Sequence, residues 1–184
     1  MRRHAIAILL LPLLAAACTQ EAVTFPCPGS PVATFAFTAT LTEVGCKDFV
    51  PASSANAISP AYSANVPFTG TISFSASGNV AALCGFGPSA EPLVGTQKVP
   101  DSIDVALKTS GALLLACNPR CAITVRQEVK GTLARGPGGL PSGFTGTLVD
   151  EASVNTSISG ADCAPCVTPC SGNYLLTGIP VNLR

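Results

Sequence analysis

Apolar side chains alternate with threonine and serine along this chain, and a period of two residues recurs wherever the sequence is regular. In the segment 33–43 the apolar positions are Ala33, Phe35, Phe37, Ala39 and Leu41. In the segment 68–76 they are Phe68, Ile72, Phe74 and Ala76. Successive side chains of a strand point to opposite faces, so this period predicts strands with one buried and one exposed face. Threonine suits the exposed face because its branched side chain packs well on a pleated surface.

Helical periodicity is nearly absent, and the chain contains 17 glycines and 16 prolines, which we interpret as turns between strands. These features predict an all-β domain. We expect an antiparallel β-sandwich or a partly open barrel with long loops, stapled by disulfides, after a cleaved N-terminal signal helix. The segments 44–67 and 85–100 are rich in Pro, Ser, Ala and Gly and are predicted to be surface loops. Pro180, in the closing run 174–183, predicts an edge position.

The stretch 102–129 contains three strand-like runs, separated by Thr109-Ser110-Gly111 and Asn118-Pro119-Arg120. Three-residue hairpin loops commonly end on a left-handed residue, a place that Gly111 would suit. Counting from these two loops predicts a three-stranded meander in which Leu107 pairs with Leu113 and Cys117 faces Cys121. A local Cys117–Cys121 disulfide would then be possible. The apolar face of this meander would comprise Ile103, Val105, Leu107, Leu113, Leu115, Ile123 and Val125.

The first eighteen residues have the layout of an exported protein. A basic start, Met1-Arg2-Arg3-His4, precedes an apolar run over 5–14 that is too short to span a bilayer. The run ends in Leu14-Ala15-Ala16-Ala17-Cys18, which resembles the lipobox of bacterial lipoproteins. The resemblance implies cleavage before Cys18 and a diacylglyceryl thioether on its sulfur. Ordinary cleavage after the Ala-x-Ala site at residues 15–17 is the alternative.

Cysteine parity favours lipidation, because nine cysteines in an oxidising compartment would leave one thiol unpaired. The residue that follows Cys18 is Thr19 and not Asp. By resemblance to Gram-negative lipoproteins, the chain therefore lacks the usual signal for retention in the inner membrane. We therefore expect a lipid anchor on the outer membrane, on its periplasmic or surface face. The predicted organisation is a signal peptide over 1–17, a lipidated Cys18 with a short tether over 18–31, and a single β domain over 32–184.

The remaining eight cysteines are expected to form structural disulfides, with 105 possible connectivities. They are Cys27, Cys46, Cys84, Cys117, Cys121, Cys163, Cys166 and Cys170. The segment Cys163-Ala164-Pro165-Cys166 also resembles the active site of thioredoxin-like oxidoreductases, although no Trp precedes it and few residues follow it. A zinc site formed by Cys117, Cys121, Cys163 and Cys166 is a further alternative.

Several chemistries are excluded by composition. The only histidine is His4 in the signal peptide, so the mature chain cannot form a histidine-dependent triad or a histidine-ligated metal site. Losing Arg2 and Arg3 leaves 8 basic residues against 10 acidic ones, and no basic patch suggests nucleic-acid binding. The chain lacks Trp, which weakens carbohydrate binding by stacking. We predict no cofactor.

Carboxylates are the plausible acid or base groups, in the pairs Asp101 with Asp104 and Asp150 with Glu151, together with Asp162. Positions one or three apart on a strand face opposite sides, so neither pair is predicted to converge on a substrate. Calcium at Asp101, Asp104 or Asp150 remains an alternative, without an EF-hand pattern. The sequence thus predicts a non-catalytic envelope lipoprotein that is structural or binds a protein or a small apolar ligand. The alternative is an exported enzyme that uses carboxylates or the Cys163/Cys166 thiols.

Overall fold

The computed structural model describes residues 26–44, 67–86, 91–113, 118–164 and 169–181. The signal segment, Cys18, Cys46, Cys117 and Cys166 lie outside the described residues. The strands are β1 Ser30–Val44, β2 Phe68–Phe74, β3 Val80–Cys84, β4 Leu93–Val99, β5 Ser102–Leu113, β6 Ala122–Arg135, β7 Pro141–Val154 and β8 Cys170–Pro180. A single turn of 3-10 helix, Pro137–Gly139, connects β6 to β7.

Each strand pairs antiparallel with the next in the chain, and β8 pairs with β1, so the sheet closes into a barrel. The predicted all-β antiparallel architecture is confirmed, and closure rather than a sandwich covers its apolar face. A closed barrel has no edge strand, which corrects the position expected for Pro180. β8 nevertheless extends past Gly178, its last pair with β7, and Pro180 lies in this overhang. A missing N–H is tolerated there because β7 supplies no partner.

The barrel interior is filled by the inward residues of all eight strands. Phe35, Phe37 and Ala39 are fully buried, as the alternation of β1 predicts. The main buried cluster contains Phe35, Phe37, Ala39, Ile72, Ala81, Leu83, Phe86, Leu93, Ile103, Val105, Val129, Leu133, Phe144, Leu148, Tyr174 and Leu176. A side-chain core of this kind is characteristic of barrels with eight strands.

The predicted meander over 102–129 is wrong. β5 runs without a turn through Thr109-Ser110-Gly111 and pairs with β6 along its whole length, from Ser102 with Thr132 to Leu113 with Ala122. Leu107 therefore lies opposite Gln127 rather than Leu113. Gly111 lies at a β-bulge between Ser110 and Ala112. A glycine within a strand-like sequence can mark either a turn or a bulge, and here it marks a bulge.

Two further boundaries differ from the sequence interpretation. The segment 85–100, predicted to be a loop, contains β4, whose Leu93 is fully buried. The strand that begins near Phe144 is longer than predicted and reaches from Pro141 to Val154, because β6 pairs with it along its length. The segment 44–67 lies mostly outside the described residues.

The two ends of the barrel differ in the length of their connections. The short-turn end has the connections 75–79, 100–101 and 136–140. The long-loop end has 45–67, 85–92, 114–121 and 155–169. β1 begins and β8 ends at the short-turn end.

Candidate functional site: a buried acid and amide inside the barrel

One layer of the barrel interior is polar. Cross-strand register aligns Leu107, Gln127, Asp150 and Gly172 on β5, β6, β7 and β8. The next inward row toward the short-turn end belongs to the main apolar cluster. The row toward the long-loop end belongs to a second buried cluster, which contains Cys121, Ile123, Ala152, Cys163 and Cys170. The polar layer is thus enclosed between two apolar clusters.

Asp150 is the central group of this layer and is 8% exposed. The side chain of Gln127, equally buried, hydrogen-bonds to its carboxyl group. The other carboxyl oxygen, Oδ1, is buried and has no hydrogen-bond partner among the described residues. An unsatisfied buried acceptor is uncommon in folded proteins and calls for an explanation such as a proton, a water or a ligand.

Tyr174 on β8 brings a phenol to the same layer. Its ring belongs to the main cluster, and a Cβ placed on Gly172 would lie 3.1 Å from the phenol oxygen. Gly172 is the residue directly opposite Asp150, so the glycine leaves space for the phenol next to the carboxyl group. The layer therefore combines an acid, an amide and a phenol.

Burial dominates the titration of this layer. It raises the pKa of Asp150 from 3.8 to about 6, against the smaller lowering effect of the hydrogen bond from Gln127. Burial and the Asp150 charge raise the pKa of Tyr174 to about 12. Below about pH 6 the acid is neutral and can both donate and accept a hydrogen bond, whereas above it an ionised carboxylate retains an unpaired oxygen. Such a perturbed, enclosed acid is a recognised signature of functional sites.

We expect the stability of the barrel to fall as the pH rises from 4 to 7. The unfolded chain loses the Asp150 proton near pH 3.8 whereas the folded chain holds it to about pH 6, so deprotonation favours unfolding across that window. The loss attributable to this group is about 3 kcal/mol, the equivalent of about two pKa units. Urea unfolding at a series of pH values measures it. Asp150→Asn should flatten the profile, whereas the matched change Glu151→Gln on the outward face should leave it unchanged. Parallel profiles for wild type and Asp150→Asn would contradict the assignment.

The second cluster closes the barrel over the polar layer and corrects the predicted cysteine pairing. Cys121 is bonded to Cys163, not to Cys117, because the connection between β7 and β8 folds over the start of β6. Backbone hydrogen bonds from Asn155 N–H to Ala122 O and from Asp162 N–H to Arg120 O fasten it there. Cys170 is also disulfide-bonded.

The Cys121–Cys163 bond involves two sulfurs that both alternative hypotheses from the sequence require as thiols. Cys163 is 4% exposed and its sulfur is bonded to Cys121, not to Cys166, its partner in the alternative thioredoxin-like hypothesis. The four-thiolate zinc site would need the same two sulfurs as free ligands. No group of three potential metal-ligating side chains occurs within the described ranges.

A second disulfide, Cys27–Cys84, fastens the chain ahead of β1 to the outer wall of the barrel. Gly29 turns the chain with a φ of 85°, and a Cβ there would approach Phe74 O to 2.5 Å. Ser73 is buried beneath this segment and donates a hydrogen bond to Pro28 O. The segment immediately before Ser30 is therefore packed against the wall rather than extended away from it.

The remaining predicted carboxylates do not converge on one place. Asp101 pairs with Arg135 at 2.6 Å and Asp104 with Lys98 at 2.7 Å. Asp162 lies 3.7 Å from Arg120.

On β7, Asp150 points inward and its neighbour Glu151 is only half-buried, as the strand alternation predicts. The inward direction of Asp150 can be predicted from the sequence, because it shares the even-numbered positions of β7 with Phe144, Leu148 and Ala152. Nothing in the sequence indicates that Gln127 and Tyr174 are its neighbours.

Comparison of the chain with protein families, curated proteins and solved structures gives no match. Within the described residues, no helix has the length and hydropathy required to cross a membrane.

Proposed function

We propose that this protein is a non-catalytic lipoprotein of the cell envelope, held on the outer membrane by lipid on Cys18, whose barrel serves as a rigid partner-binding module. The observation that carries the proposal is the bonded state of the cysteines. All five cysteines in the described ranges are in disulfides, as expected for an exported protein. An odd total of nine leaves one sulfur without a disulfide partner, and the lipobox-like sequence that ends in Cys18 favours that residue.

The packed interior supports a binding role on the outside of the barrel. Large aromatic and aliphatic side chains occupy the space in which a barrel of this size could hold one small ligand. The polar layer lies beneath the disulfide-fastened second cluster, away from the surface. We therefore favour a protein or membrane partner over a small apolar ligand.

Metabolic labelling with palmitate, followed by intact mass of the membrane-extracted protein, tests the anchor. We expect label and a lipid-modified N-terminal Cys18, and for Cys18→Ser a complete loss of label and release from the outer-membrane fraction. Because Cys18→Ser leaves the other eight cysteines unchanged, the variant also serves as the control for the odd number of cysteines. An unmodified mature chain that is soluble in the periplasm would disprove the proposal.

Acid–base catalysis by Asp150 is the second candidate, favoured by its unpartnered oxygen and its pKa of about 6. Without a defined substrate, the test is access. If Asp150 is a purely internal group, a water-soluble carbodiimide with an amine nucleophile should modify Glu151 and leave Asp150 unmodified at pH 6. Preferential modification of Asp150 would show that its carboxyl group is accessible from solvent and would favour the hypothesis of acid–base catalysis.

A further inference from the structure

An exposed apolar surface lies at the short-turn end, where β1 begins, β7 begins and β8 ends. It forms a groove of about 380 Å³ whose lining contains no charged side chain. We call it the apolar rim, and its principal members are Pro31, Val32, Leu140, Pro141, Pro180 and Val181. Leu140 at the tip of the β6–β7 turn is 70% exposed, and Ile179 next to the groove is 74% exposed. Exposed apolar residues grouped in this way mark an interaction surface.

The backbone of the rim is also suited to a dry environment. Proline has no N–H, so Pro31, Pro141 and Pro180 present no backbone donor that would be buried without a partner. The N–H of Val181 is already bonded to Thr34 O at 2.8 Å. Covering the rim therefore removes apolar surface from water at little cost in unsatisfied polar groups.

The attachment of the tether lies close to the rim. Cys84 is bonded to Cys27 and lies opposite Thr71 on the neighbouring strand β2. Thr71 lies opposite Thr34 on β1. The backbone oxygen of Thr34 accepts the hydrogen bond from Val181 of the rim. Neighbouring strands are about 4.8 Å apart, so these three steps separate the disulfide from the rim by about 15 Å. Nine residue steps connect Cys18 to Cys27, and an extended chain of that length spans at most about 30 Å. A lipid on Cys18 can thus enter a bilayer that the rim touches.

We propose that the apolar rim seats on the acyl–headgroup boundary of the membrane that holds the lipid of Cys18, with the long-loop end directed away from it. This inference rests on the proposed lipid anchor. The occupant is a lipid surface because the tether is shorter than the strands of the barrel: β6 and β7, with 14 residues each, run about 45 Å. The anchored barrel must remain close to the bilayer, and the rim is the described apolar groove within reach.

The absence of tryptophan from the chain allows a single-tryptophan test. Leu140→Trp places the reporter on the rim, and Ile158→Trp, at a 43% exposed position of the long-loop end, is the matched control. Both lipidated proteins are extracted from membranes and reconstituted into phosphatidylcholine vesicles with brominated acyl chains. We expect the Leu140→Trp emission to shift to the blue and to be quenched roughly twofold or more, because indole rings settle at this boundary. The Ile158→Trp emission should remain unquenched.

The outcomes separate the rim from the anchor. If the protein carries lipid and floats with the vesicles but the Leu140→Trp emission is unquenched, the rim does not contact the bilayer. That result would disprove the proposal for the rim and would not affect the lipid anchor. Equal quenching of both variants overturns the preferred orientation. Blue-shifted Leu140→Trp emission without quenching, together with a dimer in sedimentation, assigns the rim to a second copy and also overturns it. Protein without lipid that does not float overturns the anchor itself.

Discussion

Truncation of Phe37 to alanine is expected to lower the free energy of unfolding by about 3–5 kcal/mol. Phe37 is fully buried on β1, and its ring contacts Phe68, Phe86 and Phe144 with centroid separations of 5.8, 5.4 and 5.5 Å. The contacts with Phe86 and Phe144 are edge-to-face, the arrangement that aromatic pairs favour.

The surrounding backbone makes this position difficult to refill. A Cβ on Gly70 would lie 3.0 Å from the Phe37 ring, and one on Gly178 would lie 2.9 Å from it, so glycines on both neighbouring strands make room for the ring. Hydrogen-bonded strands on either side cannot move inward independently, and we expect the cavity to persist after truncation.

Urea unfolding of Phe37→Ala measures this loss, and Leu175→Ala is the matched control. Leu175 is 48% exposed on the outer face of β8, and its truncation should cost less than about 1 kcal/mol. Similar losses for the two variants would show that the aromatic cluster does not provide the core that the structure assigns to it.

Replacement of Cys27 and Cys84 by alanine is expected to lower the free energy of unfolding by about 4 kcal/mol in the chain-entropy account. The bond joins residues 57 apart, so its loss releases a long loop in the unfolded chain. It also frees the segment that covers Ser73, whose hydroxyl is buried beneath it. We therefore expect limited proteolysis ahead of Ser30 to become faster in the variant.

The Cys121→Ala/Cys163→Ala variant provides the comparison. Its bond joins residues 42 apart, and the expected loss is smaller by only a few tenths of a kcal/mol. That variant should keep its resistance to cleavage ahead of Ser30, because its disulfide joins Cys121 to Cys163 and does not hold the segment that precedes β1. A non-reducing digest that links Cys84 to a cysteine other than Cys27 would contradict the connectivity directly.

The period of two residues predicted most of the inward side chains, although Leu41 is 38% exposed and Ala76 lies beyond the end of β2. Phe35, Phe37, Ile103 and Val105 are buried as expected, since the alternation of a strand depends only on local backbone geometry. The error lay in pairing. Glycine serves both turns and bulges, and the choice between them at Gly111 depended on whether β6 could continue alongside β5.

The candidate site was less accessible to sequence reasoning than the fold. Strand alternation places Asp150 on the face opposite Glu151, but the burial of Asp150 depends on the cover that the second cluster provides. That cover requires the β7–β8 connection to return to β6 and bond Cys163 to Cys121 across 42 residues. Contacts of such separation leave no periodic trace in the chain.

The sequence by itself determined the strand content, the inward faces and an even set of cysteines suited to disulfides, because each follows from local geometry or composition. Only the tertiary structure decided that the sheet closes, that Cys121 joins Cys163 and that Asp150 lies beside Gln127 in a buried layer. These three features depend on strand register and on closure of the sheet. In each, one pairing forms although several pairings are compatible with the local sequence. The free energy that makes the choice comes from the whole packed interior.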